Sequence, residues 1–145
     1  MISVLQRVSQ AQVAIAGESV GEIGPGLMVL CGFQPGDDIS SLERMLHKLL
    51  HYRVFADADG KMNLNVQQVD GGLLLVPQFT LTADTKKGLR PSFHTSAPPQ
   101  EAERLFNQFV ELANSRYPKI QTGRFGADMQ VTLTNDGPVT FQLQT

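Results

Sequence analysis

Two short runs of apolar residues, LMVLCGF at 27–33 and LLLVPQFTL at 73–81, constrain the fold most strongly. Neither run alternates between apolar and polar side chains, so a strand formed by either is buried on both faces. Two further segments, 36–52 and 98–117, carry apolar residues at helical spacing and can cover such strands. We therefore expect a layered α/β sandwich of about seven mostly antiparallel or mixed strands, with both helices on one outer face.

The two ends of the chain are expected to form strands around this centre. Residues 2–24 alternate loosely and predict two or three short antiparallel strands. Every second residue is apolar at 129–133 and again at 139–143, which predicts two further strands. The stretch TNDGPVTF between them contains Asp-Gly, a common hairpin signal. Ser40 and Glu43 have the spacing of a capping box at the start of the first helix.

Composition limits the class of protein. A chain of 145 residues with 41% hydrophobic and 18% charged residues fits one compact domain, 1–145. The net charge of −2 gives no global basic field, so any contact with nucleic acid must use a local patch. A single cysteine excludes an internal disulfide and fits a reducing compartment. No apolar run approaches membrane-spanning length, and we expect a cytoplasmic protein.

Three patterns that resemble reactive or metal sites have simpler interpretations. His47 and His51 have the spacing of a zinc-protease helix, but Lys48 replaces the required glutamate and both face away from the leucine stripe. DADG at 57–60 begins like a calcium loop but lacks the later acidic ligand, which favours a plain turn. Cys31 lies within an apolar strand, which favours a buried hydrophobe over a nucleophile. We expect no metal and no cofactor.

The polar loop at 82–96 is long for a compact domain, and loops of this length are usually functional. His94 could act as a general base or simply face solvent. Lys86, Lys87 and Arg90 are either a solvated charge group or a patch that neutralises phosphates without reading bases.

Several motifs occur in order along the chain: QRVS at 6–9, MNLNVQQ at 62–68, QFTL with AD at 78–84, RPSF at 90–93 and TGRFGADMQVTLTNDGPVTF at 122–141. Together they resemble the D-aminoacyl-tRNA deacylase family, first described on D-tyrosyl-tRNA. The resemblance implies a homodimeric ester hydrolase that removes D-amino acids from the 3′-terminal adenosine of tRNA. Glycyl-tRNA is implied as a further substrate, because glycine has no side chain to clash.

The resemblance gives the NDGPVT stretch a role in selecting the substrate. It implies that the Gly137–Pro138 bond is cis and that this pair enters the partner subunit's pocket. A cis X-Pro bond turns both carbonyls to nearly the same side, and glycine allows close approach to a ligand. These carbonyls would accept hydrogen bonds from the α-ammonium group and leave no room for an L side chain. Asn135 and Thr140 would brace this wall, and Arg7 would lock it.

The resemblance makes the PQFTL stretch the other wall of the pocket. Thr80 matches a residue once proposed as the nucleophile, but a threonine hydroxyl is weak without an activating base. The alternative is that backbone N–H groups of Phe79 and Thr80 hold the ester carbonyl while the RNA 2′-hydroxyl assists hydrolysis. Gln78, Phe79, Phe125 and Met129 would line the pocket and offer an aromatic surface to the adenine or the amino acid.

One residue departs from the family pattern. Pro77 stands where the deacylases have serine, and proline at this position is similar to a related animal deacylase that clears L-alanine from a threonine tRNA. Proline removes a hydroxyl and an N–H from the pocket edge. Two alternatives therefore stay open: an editing deacylase of relaxed chirality that accepts L-Ala-tRNA, and a non-catalytic module that binds the tRNA 3′ end.

Overall fold

The computed structural model describes residues 1–145 as eight strands, two α-helices and one short 3₁₀ helix. In chain order these are β1 (Ile2–Ile15), β2 (Glu18–Ile23), β3 (Gly26–Gly32), α1 (Ile39–His51), β4 (Phe55–Ala56), β5 (Met62–Leu64), β6 (Gly72–Pro77), the 3₁₀ helix (Phe79–Thr82), α2 (Pro99–Arg116), β7 (Ile120–Thr122) and β8 (Gln130–Gln144).

Six strands form one mixed sheet in the order β2-β1-β3-β6-β7, with β8 paired to the other edge of β1. β1 is antiparallel to β2, β3 and β8, whereas β3, β6 and β7 are parallel. The sheet curls until it nearly closes: a Cβ atom on Gly21 of β2 would stand 2.6 Å from the carbonyl oxygen of Thr122 in β7. β4 and β5 form a separate two-stranded sheet. The predicted mixed-sheet class is confirmed.

The apolar residues of β3 and β6 are buried on both faces of the sheet, as their sequence predicts. Leu27, Val29 and Leu73 pack with the apolar faces of α1 and α2 in the larger core cluster. Met28 and Leu74 point the other way and pack inside the curled sheet. Burying a leucine-sized side chain contributes about 1.5–3 kcal/mol, so both layers stabilise these two strands. Both helices thus cover one outer face, which was the prediction.

The C-terminal hairpin prediction is wrong. β8 is one strand of 15 residues that pairs with β1 along nearly its whole length. Val8 pairs with Asn135 and Gln6 pairs with Thr140, so four residues of β8, 136–139, stand opposite Arg7 alone. We call these four residues the bulge. A long β1 offers β8 a continuous edge, and the Gly-Pro stretch is absorbed as a bulge rather than as a turn.

Three other boundaries also differ from the sequence predictions. The N-terminal segment forms one 14-residue strand before β2, because β1 has partners on both edges. The strand expected to continue to residue 81 ends at Pro77 and is followed by the 3₁₀ helix. Helix α1 is capped by Asp38, whose carboxylate accepts the N–H of Ser41 at 2.9 Å, and not by the Ser40–Glu43 pair. Asp38 lies two residues before Ser40 and directly before the first helical residue, Ile39.

Candidate functional site

Arg7, which lies on β1 opposite the bulge in β8, holds the bulge in place. Its Nε donates to the carbonyl oxygen of Asp136 at 3.0 Å, and its Nη1 donates to the carbonyl oxygen of Val54 at 2.7 Å. The Arg7 side chain is only 16% exposed, so its charge is largely withdrawn behind the bulge. The Gly137–Pro138 peptide bond is cis, and Gly137 has a φ of +139°, a conformation that L residues with a side chain rarely adopt.

The side chain of Asn135 links the two ends of the bulge by hydrogen bonds. Its amide oxygen accepts the N–H of Val139 at 2.8 Å, and its amide nitrogen donates to Thr140 Oγ1 at 2.8 Å. The amide of Gln6 on β1 also approaches Thr140 Oγ1, at 3.4 Å. Residues 136–138 in between are exposed. The surrounding hydrogen bonds therefore fix the bulge while its Gly-Pro backbone faces outwards.

A second structured segment begins where β6 ends. The N–H of Gln78 donates to the carbonyl oxygen of Cys31 at 2.7 Å, which anchors the start of the 3₁₀ helix to β3. The helix then packs on Gly32, where an added Cβ would stand 3.0 Å from Thr82 Cγ2 and 3.1 Å from the Gln78 carbonyl oxygen. The N–H groups of Phe79 and Thr80 are the first two of this helix, so no carbonyl oxygen of the helix itself can accept them. They are two adjacent donors that the helix does not use.

These donors lie beside a cavity of about 290 Å³, here called cavity A. Its lining is mostly apolar, and a wall of it is formed by the buried ring of Pro77. The structure brings together here five residues that the sequence predicted for the pocket: Pro77, Gln78, Phe79, Phe125 and Met129. They come from β6, from the start of the 3₁₀ helix and from the segment before β8.

A second cavity of about 480 Å³, here called cavity B, shares Phe79 and Phe125 with cavity A. Phe93 lies against Phe79 with ring centroids 5.0 Å apart, and Phe79 is 56% exposed. The sequence reasoning missed this cavity and its Phe93. The signals that could have found it are the RPSF motif and the unusual length of the loop that contains it. Two adjoining apolar cavities can take two chemically distinct halves of one ligand.

The Thr80 hydroxyl has no base to activate it. Its only side-chain partner is the amide of Gln78, which donates to it. An amide cannot remove the hydroxyl proton, so the geometry offers nothing that turns this oxygen into a nucleophile. The backbone donors next to it are the more capable groups at this end of the cavity.

The basic residues of the polar loop stand on a hairpin tip. Asp84 and Ser92 form an antiparallel backbone bridge, with N–H to O distances of 2.7 and 3.1 Å. Lys86, Lys87 and Arg90 all lie in the exposed stretch between them. This hairpin leads directly into Phe93, so the cations and cavity B belong to one loop.

The bulge and the two cavities are apart within one chain. Neither cavity is lined by any residue of 135–140. The bulge contacts Arg7 and Val54, whereas the cavities are built around Phe79 and Phe125. Within a single chain the bulge and the cavities are therefore two separate features.

The remaining candidates are not part of this site. His47 and His51 are exposed on α1 and stack on each other, and no group of three or more His, Cys, Asp or Glu side chains is placed to hold a metal ion. Asp57 accepts the N–H groups of Asp59 and Lys61, which makes DADG a turn. Cys31 is buried, as predicted, and burial raises the pKa of its thiol to about 12, so it carries no thiolate at neutral pH. No helix in the structure combines the length and the apolar character needed to cross a membrane.

Comparison with known proteins identifies the family. Residues 4–144 match the family described as D-Tyr-tRNA(Tyr) deacylase. A protein of Hydrogenovibrio crunogenus named D-aminoacyl-tRNA deacylase is 63% identical over 149 residues, and the match covers 100% of both chains. One of the same name from Azotobacter vinelandii is 59% identical over 144 residues, covering 99% of each chain.

Solved structures agree with this fold. One described as c-Myc DNA Unwinding Element Binding Protein superposes with a TM-score of 0.95 at 41% identity and covers 100% of this chain and 99% of its own. One described as "a probable eukaryotic D-amino acid tRNA deacylase" has a TM-score of 0.85 at 18% identity, covers 99% of this chain and 98% of its own, and supports the fold alone. The full-length family match and the identity of the relatives lead to one conclusion: the chain belongs to the D-Tyr-tRNA(Tyr) deacylase family of hydrolases.

Proposed function

We propose that this protein hydrolyses the ester bond of D-aminoacyl-tRNA, releasing a D-amino acid and tRNA. The observation that supports this most strongly is the pair of adjoining cavities A and B, separated by Phe79 and Phe125 beside two backbone donors that the 3₁₀ helix does not use. Cavity A takes the amino acid and cavity B takes the terminal adenine, which can stack on exposed aromatic rings. The names of the relatives point to the same substrate.

The proposed chemistry needs only water and the groups at the site. Water adds to the ester carbonyl carbon, and the oxygen that becomes negative accepts hydrogen bonds from the N–H groups of Phe79 and Thr80. The tetrahedral intermediate then expels the 3′-oxygen of the adenosine, which takes up a proton, and the carboxylic acid is released. The adjacent 2′-hydroxyl of the RNA assists the proton transfer. Removing one such donor typically lowers the rate by about 10²–10³.

Chirality is read by the bulge of a second subunit in this proposal. The exposed backbone of Gly137 and Pro138 enters cavity A of the partner chain and completes it. Its carbonyl oxygens accept the α-ammonium group, and an L side chain would collide with the same backbone. Exclusion by collision suits an enzyme that must accept many D side chains, because no fitted hole is needed. The hydrogen bonds from Arg7 and Asn135 support this role because they hold the bulge in place.

The proposal extends to the rest of the substrate. Lys86, Lys87 and Arg90 contact phosphates of the tRNA 3′ end and contribute affinity without sequence selection. Glycyl-tRNA is also a substrate, since glycine has nothing to collide with the bulge. Charged tRNA is found in the cytoplasm, and the proposal includes that location.

The test is a deacylation assay on matched tRNAs carrying D-Tyr, L-Tyr, D-Ala, L-Ala and Gly. The proposal predicts release of the D-amino acids and of glycine, with both L-esters left intact over the same time. Equal rates on D-Ala-tRNA and L-Ala-tRNA would contradict the chiral part of the proposal.

That result would instead support an editing deacylase of relaxed chirality, which Pro77 in the wall of cavity A favours. Binding of charged tRNA with no release of any amino acid would support the remaining alternative, a non-catalytic module for the tRNA 3′ end.

A further inference from the structure

His94 stands at the rim of cavity B with its side chain 65% exposed. Its Nδ1 lies 2.8 Å from Ser92 Oγ, and its Nε2 lies 3.8 Å from a carboxylate oxygen of Asp84. Ser92 and Asp84 are the two residues that close the basic hairpin by their backbone bridge. The imidazole is therefore held between the mouth of the cavity and the base of the hairpin.

One tautomer of the ring leaves Nε2 able to serve a ligand. In the tautomer in which the Ser92 hydroxyl donates to Nδ1, the ring proton is on Nε2. The 3.8 Å between Nε2 and Asp84 is too long for a hydrogen bond. The other Asp84 oxygen already accepts the N–H of Lys86 at 3.0 Å. In this tautomer Nε2–H is a donor without an acceptor, on an exposed ring.

The lining of cavity B makes this donor distinctive. Besides His94 the cavity has one other polar side chain, Ser96, whose hydroxyl already pairs with Thr82 Oγ1 at 2.6 Å. The other lining side chains are aromatic or apolar, or the residue is glycine. A flat base can fill such a cavity, but only His94 can recognise a polar group at its entrance.

We propose that His94 donates from Nε2 to the phosphodiester on the 5′ side of the nucleoside that occupies cavity B. This inference rests on the proposed function, in which that nucleoside is the terminal adenosine. A base buried in the cavity leaves its sugar and 5′-phosphate at the rim, where His94 stands. The adjoining hairpin carries three cations, Lys86, Lys87 and Arg90, and one carboxylate, Asp84. The RNA strand beyond this phosphodiester therefore continues towards positive charge.

The experiment compares two small substrates: D-tyrosyl-adenosine, which has no 5′-phosphate, and the D-tyrosyl ester of the dinucleotide CpA, which has one phosphodiester. The measured quantity is the ratio of kcat/KM for the CpA ester to kcat/KM for the adenosine ester. His94→Leu should lower this ratio about ten-fold relative to the unmodified protein, the size expected for one hydrogen bond to a charged group. His94→Asn, which keeps an N–H donor, should recover part of the loss.

His47→Leu is the matched control, because His47 is another exposed histidine and lines neither cavity. It should leave both rates and their ratio unchanged. An unchanged ratio in His94→Leu, or a loss that is equal on both esters, would overturn the inference while leaving the proposed function intact. Failure of the unmodified protein to hydrolyse either ester or D-Tyr-tRNA would instead overturn the proposed function, and this inference with it.

Discussion

At the scale of single residues, the proposed site is shaped by hydrogen bonds that hold backbone segments in place. Arg7 and Asn135 hydrogen-bond the bulge, and Gln78 anchors the first amides of the 3₁₀ helix through its own N–H. Each of these contacts has a backbone N–H or carbonyl group on at least one side. We infer that most single substitutions here act by loosening a backbone position of the site.

Arg7→Lys tests this at the bulge. Arginine reaches the Asp136 and Val54 carbonyls from two different nitrogens, and a single ammonium group cannot span both. Losing one such hydrogen bond costs about 1 kcal/mol, so D-Tyr-tRNA deacylation should fall roughly five- to ten-fold. Arg53→Lys is the control, since Arg53 is exposed and makes no hydrogen bond through its side chain. Unchanged kcat/KM in Arg7→Lys would show that the bulge does not need this support.

Thr80→Ala separates backbone chemistry from side-chain chemistry. The substitution removes the hydroxyl and keeps the N–H, so we expect kcat on D-Tyr-tRNA to stay within about one order of magnitude. A nucleophile, in contrast, typically supplies several orders of magnitude. A folded Thr80→Ala protein with no measurable turnover would restore the hydroxyl as the reacting group.

The sequence anticipated some of these residues and not others. The QFTL motif and the residues before β8 pointed to Gln78, Phe79, Phe125 and Met129, which do line one cavity. Phe93 was not anticipated, because no periodicity shows that a polar loop folds back onto Phe79. His94 was weighed as a lone residue, since its partners Asp84 and Ser92 meet it only after the hairpin closes.

At the scale of elements, the patterns of apolar residues predicted the central strands and helices correctly but not the ends of strands. Continuous burial identified β3 and β6, whereas the C-terminal alternation was divided into two strands by a hairpin signal. The hairpin does not form because β1 offers one long edge, and pairing along this edge outweighs the local preference for a turn. The residues of β8 do not themselves show how long its partner strand is.

Gly26→Ala tests the close packing that sets the β3–β6 register. An added Cβ would stand 2.0 Å from the carbonyl oxygen of Gly72 and 2.6 Å from its nitrogen, and these backbone atoms have little room to move away. We expect a loss of about 3 kcal/mol in the free energy of unfolding, measured in urea at fixed protein concentration. Gly24→Ala is the control, with no atom within 4 Å of its added Cβ and an expected change under about 0.5 kcal/mol. Equal stability of the two variants would contradict this account of the packing.

Asp38→Ala tests the N-terminal cap of α1 through the pH dependence of thermal stability. Hydrogen bonds from Ser41 lower the pKa of Asp38 in the folded protein, so its ionised form is the stabilising one. Its contribution is complete above the unfolded pKa of about 3.9 and is lost as the pH falls through the lower folded value. The difference in Tm between the unmodified protein and Asp38→Ala should therefore be largest near neutral pH and shrink in acid. Asp59→Ala, which removes an exposed carboxylate without hydrogen bonds, should show no such trend.

At the scale of the whole molecule, one chain keeps the bulge and the two cavities apart. The bulge exposes backbone without a pocket, and cavities A and B lack any residue of the bulge. In a symmetric dimer the bulge of each chain can meet the cavity of the other chain, which gives two equivalent sites. Sequence patterns alone gave no sign of this division, since hydrophobic periodicity describes the core of one chain and not the contacts between copies.

Mixed dimers of two inactive variants test most directly whether the bulge of one chain meets cavity A of the other. Ala127→Trp fills cavity A, and Gly137→Ala places a methyl group on a backbone whose φ of +139° disfavours any side chain. Each variant alone should be folded and unable to release D-Tyr from tRNA. After subunits are exchanged, half the dimers are mixed and each has one intact site of two, so activity should return to about a quarter of the unmodified level. If exchange is verified by mass and no activity returns, the cavity and the bulge do not meet across subunits, and the account is wrong.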